Sequence, residues 1–277
     1  MTAAPKPRPV VIVPLDGSVE ARAALPVARA LAKMEGATLH VLHVSESRLA
    51  PPDADQRLRV SGEGDSLVVD TFGGDPAAAI LAASTRWGAS ILVLSSHCGH
   101  PRPRSGLGSV AEAVLLAAGV PVVFVHPSRG EAEWAPRLLL LPLDGTPTSA
   151  QAVTHGARLA RESGARLSLL HVAGPGSCHT CEAGTIRPPI YADQPQHEWP
   201  AWRDEFLARS VCHDDVPDGL SMNVAHGSPG AETVRVAATD HADLIVMGWH
   251  GVLDEHHGAT LRTVLSEATC PVMVIRV

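Results

Sequence analysis

The stretch from residue 245 to residue 263 contains glycines whose spacing is typical of phosphate binding. It reads IVMGWHGVLDEHHGATLRT, so an apolar run is followed by Gly248, Gly251 and Gly258 and then by a helical pattern. A glycine-rich turn that leads into a helix N-terminus can hold a phosphate through its backbone N–H groups. The stretch therefore predicts a phosphate-binding loop, either complete or modified.

Two aspartates add a second kind of ligand contact. Asp16 and Asp144 each follow a short apolar run, in VVIVPLDGS and LLLLPLDGT. A carboxylate at this place can accept hydrogen bonds from an adenine amino group or a ribose hydroxyl. An Asp that precedes a Gly also caps strand-to-helix turns, and the two roles are compatible.

The chain is an internal duplication. VVIVPLDGS and GATLHVLHV return 128 positions later as LLLLPLDGT and GARLSLLHV. Further on, SILVLSSH returns as DLIVMGWH, and GVPVVFV returns as TCPVMVI. The second copy carries 25 additional residues after Val172 and lacks three residues within the glycine stretch. Because the polar linker HPSRGEAEWAPR separates the copies, we expect domains at 1–127 and 137–277, with an insertion near 174–200.

Each copy alternates short apolar runs with helical stretches. The runs of the first copy, at 10–15, 38–44, 67–72, 90–95 and 121–125, are typical of buried parallel strands. This alternation predicts two α/β domains, each a doubly wound, five-stranded parallel sheet with helices on both faces. Ligands of such sheets bind beyond the carboxyl ends of the strands, where the strand order reverses. The residues after the first and fourth strands are expected to meet there.

Several helix ends and one sheet edge are also predicted. Ser18 and Asp75 are expected to cap the N-termini of two helices and Gly36 to end the first of them, while Pro26 predicts a kink. The final runs, PVVFV and PVMVI, are expected at sheet edges. Pairing these edges across the two copies would cover them and give a pseudo-two-fold tandem.

Taken together and in order, these motifs resemble a tandem universal stress protein. The resemblance rests on VPLDGS, LHVLHV, GDPA, LVLSSH, GSVAEAVL and PVVFV, with their counterparts in the second copy. It implies an adenine nucleotide alpha hydrolase-like, Rossmann-like fold. It also implies that the Asp after the first strand contacts adenine, and that a Gly-x2-Gly-x9-Gly-Ser/Thr loop after the fourth strand holds phosphate.

Neither copy matches that loop in full. In the first copy the pattern falls on Ser95, Cys98, Gly108 and Ser109, so both early glycines are replaced. In the second copy the early glycines remain, but the interval to Gly258 is shorter and Ala259 replaces the hydroxyl residue. Because glycine lets the backbone approach a phosphate closely, we expect the second copy to be the better nucleotide site.

The resemblance implies nucleotide contacts in both copies. Within the second copy the expected contacts are Pro142, Asp144, Val172, Met247, Gly248, Gly251, Gly258, Ala259 and Thr260. Within the first copy they are Asp16, Val44, Gly108, Ser109 and Val110. The expected ligand is ATP, ADP or AMP. Asp254 and Glu255 would repel a triphosphate unless Mg²⁺ lay between them, so AMP or ADP fits the second copy more easily.

Three functions remain open at this stage. The first is a stress-response regulator that binds an adenine nucleotide without efficient catalysis, since no general base is placed near the reacting phosphate and His43 and His171 read as structural residues. The second is a scaffold whose nucleotide sites have decayed. The third is a metal or redox sensor that uses Cys178 and Cys181, whose spacing suits a metal half-site or a dithiol.

Composition argues against nucleic-acid-binding, membrane-spanning and secreted proteins. The chain has 277 residues and a formal net charge of -7, with no basic cluster of the kind that binds nucleic acid. No apolar run reaches the ~20 residues that span a bilayer, and MTAAPKPRPV lacks the apolar core of a signal peptide. The five cysteines are few and unevenly spaced, which suits a reducing compartment. We therefore expect a cytoplasmic protein without membrane contact, able to form a homodimer and to bind an unknown protein partner.

Overall fold

The computed structural model describes residues 8–44, 67–72, 74–96, 107–173, 219–253 and 258–277, together with residues 185, 204–205, 207–208 and 217. The chain divides into two compact units, which we call unit 1 (residues 1–135) and unit 2 (residues 136–277). Within the described part of the chain, no helix combines the length and the apolar character needed to cross a membrane.

Unit 1 is built around a parallel sheet whose strands follow the order β3-β2-β1-β4-β5. Its elements are β1 (Val10–Pro14), α1 (Val19–Arg22), α2 (Ala24–Glu35), β2 (Thr38–Val44), β3 (Leu67–Phe72), α3 (Pro76–Trp87), β4 (Ala89–Ser95), α4 (Ser109–Ala117), β5 (Val122–Val125) and a 3-10 turn (Pro127–Arg129). The chain runs outward from β1 to β3 and then returns to β4 on the other side of β1. The strand order therefore reverses between β1 and β4.

Unit 2 repeats this plan with the strand order β8-β7-β6-β9-β10, again with parallel pairs. Its elements are β6 (Leu138–Leu143), α5 (Pro147–Ser163), β7 (Arg166–Ala173), β8 (Ser221–His226), α6 (Pro229–Thr239), β9 (Leu244–Trp249), α7 (Ala259–Glu267) and β10 (Val272–Arg276). The predicted parallel α/β architecture is confirmed in both units, and the first and fourth strands of each are neighbours.

The apolar runs supply the core of each sheet. Ile12 of β1 and Phe124 of β5 are fully buried in unit 1, as are Leu139 and Leu140 of β6 in unit 2. Strands covered on both faces bury consecutive residues, which explains why the sequence shows continuous apolar runs and not an alternating pattern.

The predicted helix caps of unit 1 are confirmed. The Ser18 hydroxyl accepts a hydrogen bond from the Ala21 N–H at 3.0 Å, and the Asp75 carboxylate accepts one from the Ala78 N–H at 2.8 Å. Gly36 ends α2 in the left-handed conformation, with φ of 60°, which costs glycine little because it has no Cβ.

Pro26 breaks the first helix, whereas the sequence predicted only a kink. The first helix is divided at Ala23 into α1 and α2. A proline lacks the N–H that would bond to the carbonyl four residues earlier, here that of Arg22, and its ring crowds that carbonyl. The equivalent residue of the second copy is Thr154, and α5 runs through it without a break.

Candidate functional site

A cavity of about 320 Å³ opens at the carboxyl ends of β1 and β4 in unit 1. The five nucleotide contacts predicted for the first copy all line it: Asp16, Val44, Gly108, Ser109 and Val110. They come from three separate segments, namely the turn after β1, the end of β2 and the start of α4. The fold thus brings together residues that are up to 94 positions apart in the sequence.

Most of the remaining cavity wall is apolar. Leu15, Leu42, Ile80 and Leu94 contribute aliphatic side chains to it. Ser95, which takes the place of the first loop glycine, also lines the cavity. Cys98, in the place of the second glycine, lies outside the described residues.

Both aspartates cap the turn that follows the first strand of their unit. Asp16 Oδ1 accepts a hydrogen bond from the Ser18 N–H at 2.8 Å, and Asp144 Oδ1 accepts one from the Thr146 N–H at 2.9 Å. The intervening Gly17 and Gly145 have φ of 90° and 87°, a conformation that favours glycine. Turn capping uses one carboxylate oxygen of each Asp, and both side chains remain exposed at the crevice.

Asp144 is held by more hydrogen bonds than the turn alone requires. Partial desolvation raises the pKa of Asp144, but the net pKa is lowered by hydrogen bonds from the Ser149 side chain and from the backbone and hydroxyl of Thr146, and by the nearby His250. The Thr146 hydroxyl donates to Asp144 Oδ1 at 2.7 Å. This carboxylate is therefore stabilised in its charged form.

A buried histidine stands behind each aspartate turn. His43 and His171 are 3% and 1% exposed. The Nδ1 atom of His43 lies 2.8 Å from the carbonyl oxygen of Leu15, and that of His171 lies 3.0 Å from the carbonyl oxygen of Leu143. Because a carbonyl oxygen only accepts, Nδ1 carries the proton and donates in both cases.

The helix after the fourth strand begins differently in the two units. Gly108, before α4, has φ of -67°, which any residue can adopt, and its N–H donates to the Ser96 carbonyl at 2.9 Å. Gly258, before α7, has φ of 82°. A Cβ at Gly258 would lie 2.7 Å from Leu253 Cδ1 and 3.2 Å from the Val252 carbonyl oxygen. Position 258 therefore requires glycine because of the conformation and packing of its own loop.

The other two glycines of the second loop differ in the space that a side chain would have. Gly251 has φ of 84°, and a Cβ there would meet Arg276 Nε at 2.9 Å. A Cβ at Gly248 would meet Ala152 Cβ at an ordinary 3.4 Å. The sequence reasoning missed Arg276, although a single charged residue after the apolar run PVMVI was visible.

The remaining contacts predicted for the second copy occupy the same end of unit 2. Met247 lies near the end of β9, and Ala259 and Thr260 open α7. Pro142 and Val172 lie near the ends of β6 and β7. Met247 and Val172 are buried, Pro142 and Thr260 are half-buried, and Ala259 is exposed. These positions agree with a crevice, and their contact with a nucleotide stays a prediction.

The metal and redox hypothesis concerns residues that the structure does not describe. Cys178 and Cys181 lie outside the described residues, as do Asp254 and Glu255. Among the residues described, no group of three or more His, Cys, Asp and Glu side chains is placed to hold a metal ion. Burial raises the pKa of the Cys270 thiol to about 12, which makes it a poor nucleophile because the thiolate is the reactive form.

Two doubly wound units, each with an Asp turn after its first strand and a helix after its fourth, define a tandem α/β fold of the Rossmann-like type. The sequence agrees with this fold, because the sequence pattern of the Universal stress protein family matches residues 8–61, 53–126 and 137–276. The chain belongs to the universal stress protein family.

Individual relatives are moderately similar. A universal stress protein of Mycolicibacterium smegmatis (strain ATCC 700084 / mc(2)155) is 29% identical over 175 residues, which are 61% of this chain and 56% of that protein. The universal stress protein YxiE of Bacillus subtilis (strain 168) is 28% identical over 149 residues, which are 50% of this chain and 97% of YxiE. This chain therefore matches only just over half the length of the first relative.

A solved structure extends the likeness to the whole chain. The universal stress protein from Archaeoglobus fulgidus DSM 4304 has 17% sequence identity and a TM-score of 0.62, over 96% of this chain and 96% of that chain. At this level of identity the similarity is one of fold.

Proposed function

We propose that this protein is a stress-response regulator that binds an adenine nucleotide, with the adenosine part in the cavity of unit 1, and that it does not turn the nucleotide over efficiently. One observation carries the proposal. Residues expected from the family resemblance to contact nucleotide come from three segments and line a single cavity of about 320 Å³, at the low end of the sizes typical of small-molecule sites.

The chemistry of the wall suits a nucleoside. Aliphatic side chains such as Leu42 and Ile80 can cover the faces of a purine, and the Asp16 carboxylate can accept from an amino group or a hydroxyl. Among the described lining residues, Asp16 is the one that carries charge. A negative wall favours AMP over a more highly charged triphosphate.

The same residues give little support to catalysis. Asp16 is also the one titratable side chain among the described lining residues, and its Oδ1 caps the turn. General acid–base catalysis needs a positioned group that can take and return a proton. We therefore expect binding without rapid hydrolysis.

The choice of unit 1 differs from the preference that the loop glycines suggested. In unit 2, the positive φ of Gly251 and Gly258 and their contacts with Arg276 and Leu253 explain these two glycines without a ligand. In unit 1, Gly108 has an ordinary φ, and a Cβ there would lie 3.7 Å from the Ser96 carbonyl oxygen. The protein alone does not require glycine at 108, which supports a close approach by a ligand.

A matched pair of alanine variants tests the proposal. Gly108→Ala and Gly248→Ala each add one methyl group with no contact shorter than 3.4 Å in the folded protein. Calorimetric titration of nucleotide-free protein with AMP and with ATP, with and without Mg²⁺, should show about tenfold weaker AMP binding, or ~1.4 kcal/mol, for Gly108→Ala. Gly248→Ala should bind as the unchanged protein does.

Asp16→Ala and Asp144→Ala form the second pair. Loss of binding with Asp16→Ala alone agrees with a site in unit 1, and loss with Asp144→Ala alone moves the site to unit 2. Absence of heat at millimolar AMP and ATP for the unchanged protein would reject nucleotide binding and favour the scaffold function. Steady release of phosphate from ATP would contradict the proposed lack of catalysis.

A further inference from the structure

The same side-chain hydrogen bond occurs in both units, at equivalent places. His43 Nδ1 donates to the carbonyl of Leu15 at 2.8 Å, and His171 Nδ1 donates to the carbonyl of Leu143 at 3.0 Å. Each bond joins residues 28 positions apart. Each accepting carbonyl belongs to the residue directly before Asp16 or Asp144, so the bond holds the last peptide group before the carboxylate.

In unit 1 this bond continues the ladder between β1 and β2. The Leu15 N–H donates to the Leu42 carbonyl at 2.8 Å, which is the final backbone bond before the chain turns. The next hydrogen bond along the strand pair comes from the imidazole of His43, whose Nδ1–H donates to the Leu15 carbonyl. Leu15 is thereby held at its N–H by the Leu42 carbonyl and at its own carbonyl by His43, directly before the chain turns at Asp16.

From this peptide group a chain of short bonds leads to the cavity wall. Asp16 Oδ1 accepts from the Ser18 N–H at 2.8 Å, and the Ser18 hydroxyl accepts from the Ala21 N–H at 3.0 Å. Asp16 and Ala21 both line the cavity. A displacement of Leu15 would therefore be transmitted to the carboxylate and to the first turn of α1.

A space-filling role does not explain why the residue is histidine. His43 Nε2 is buried and has no hydrogen-bond partner among the described residues. A buried polar atom without a partner is unfavourable, so an apolar side chain would fill the same volume at lower cost. The Nδ1–H group, which an apolar residue lacks, is the feature that offsets this.

We propose that His43 is a positioning residue, which sets the orientation of the Asp16 carboxylate and through it the affinity of the unit 1 cavity, and that His171 does the same for Asp144. The part that concerns affinity rests on the proposed function. The part that concerns the carboxylate does not, because it can be measured in the ligand-free protein.

Two substitutions at His43 separate the hydrogen bond from packing. His43→Asn places an amide N–H close to the position of Nδ1 and keeps the donor, while His43→Leu fills the space without one. The Ser18 amide reports directly on the carboxylate, since its N–H donates to Asp16 Oδ1. We expect its hydrogen exchange to be about tenfold faster in His43→Leu and close to the unchanged rate in His43→Asn.

Affinity for AMP should follow the same order. His43→Leu should weaken binding by about tenfold, and His43→Asn should stay within about twofold. His171→Leu serves as the matched control, because it should accelerate exchange at Thr146 and leave the unit 1 affinity unchanged. If His43→Leu does not fold, His43→Gln, whose amide lies farther along the side chain, replaces it and should lose affinity in the same way.

The outcomes distinguish this proposal from the proposed function. If the unchanged protein does not bind AMP, the exchange rates alone decide, and faster exchange in the Leu variant with recovery in the Asn variant still supports positioning. Unchanged exchange at Ser18 in a folded His43→Leu protein overturns the proposal. So does AMP binding that is equally weak in the Asn and Leu variants, because packing would then explain the loss.

Discussion

The two crevices are alike on one side and different on the other. On the side of the first strand, Asp16 and Asp144 cap equivalent glycine turns and are backed by equivalent histidine bonds. On the side of the fourth strand, α4 starts from an extended Gly108 and α7 from a left-handed Gly258. The duplication has thus preserved the carboxylate side and altered the loop side.

This difference shows what a motif glycine can mean. Gly251 and Gly258 match glycines of the expected phosphate loop, yet both have a positive φ and a protein atom within 3 Å of where a Cβ would lie. Gly108 has neither. A glycine kept for the geometry of its own turn carries less information about a ligand than one that the protein alone does not require.

The largest effect should come from alanine at Gly258, compared with alanine at the equivalent helix start, Gly108. Gly258→Ala forces a left-handed φ on a residue with a Cβ, so we expect a loss of about 1–3 kcal/mol of unfolding free energy. Gly108→Ala should lose less than about 1 kcal/mol, since alanine is only a poorer N-cap than glycine. Urea unfolding midpoints compare the two, and equal losses would mean that the loop sides of the two crevices do not differ as described.

An ion pair present in unit 1 should give the next largest effect. Arg22 Nε lies 2.8 Å from Glu131 Oε1, with side chains 9% and 48% exposed, while the equivalent of Arg22 in unit 2 is Ala150. Glu131→Gln should lower the unfolding free energy by about 1.5 kcal/mol, because the buried guanidinium loses its charged partner.

Glu133→Gln is the control for this ion pair. Glu133 is an exposed carboxylate in the same segment, so its substitution should leave the urea midpoint nearly unchanged. If both variants lower the urea midpoint equally, the loss comes from the change in net charge and not from the Arg22–Glu131 ion pair.

The smallest effect is a pH dependence in unit 2. Burial lowers the pKa of His171, opposed by its bond to Leu143 and by the nearby Asp144 and aided by His226. The unfolded chain therefore binds this proton more readily than the folded one. The stabilising contribution is complete above about pH 6.5, the ordinary pKa of histidine, and is lost as the pH falls from there through the lower pKa of the folded state.

His171→Asn should reduce this dependence. Asparagine keeps a donor for the Leu143 carbonyl and does not titrate, so urea midpoints at pH 8 and pH 5.5 should differ less than in the unchanged protein. An equally steep decline in the variant would assign the acid sensitivity to other groups.

Local features of the sequence predicted the fold well. The alternation of apolar runs and helical stretches indicated the parallel sheets, and Ser18, Asp75 and Gly36 marked helix ends that the structure confirms. Each of these signals depends on residues within about one helical turn of one another. Pro26 was recognised as a disturbance, but a division of the helix at Ala23 was not.

The crevices were predicted less completely, because their contacts join distant residues. The sequence identified which residues stand after the first and fourth strands, and the internal repeat located them twice. It did not indicate that Arg276 lies against Gly251 or that His43 holds the Leu15 carbonyl. Nor did it predict the φ of Gly108 and Gly258, since a glycine adopts either sign with similar ease.

By itself, then, the sequence determined the duplication, the order of strands and helices and the two aspartate turns, because short-range periodicity and backbone preference encode these features. Tertiary structure alone decided that five expected contacts of the first copy line one cavity, and that Gly251 and Gly258 of the second copy have a positive φ and lie close to Arg276 and Leu253. The physical reason is that these properties depend on through-space contacts and on backbone angles, and the packed chain settles both.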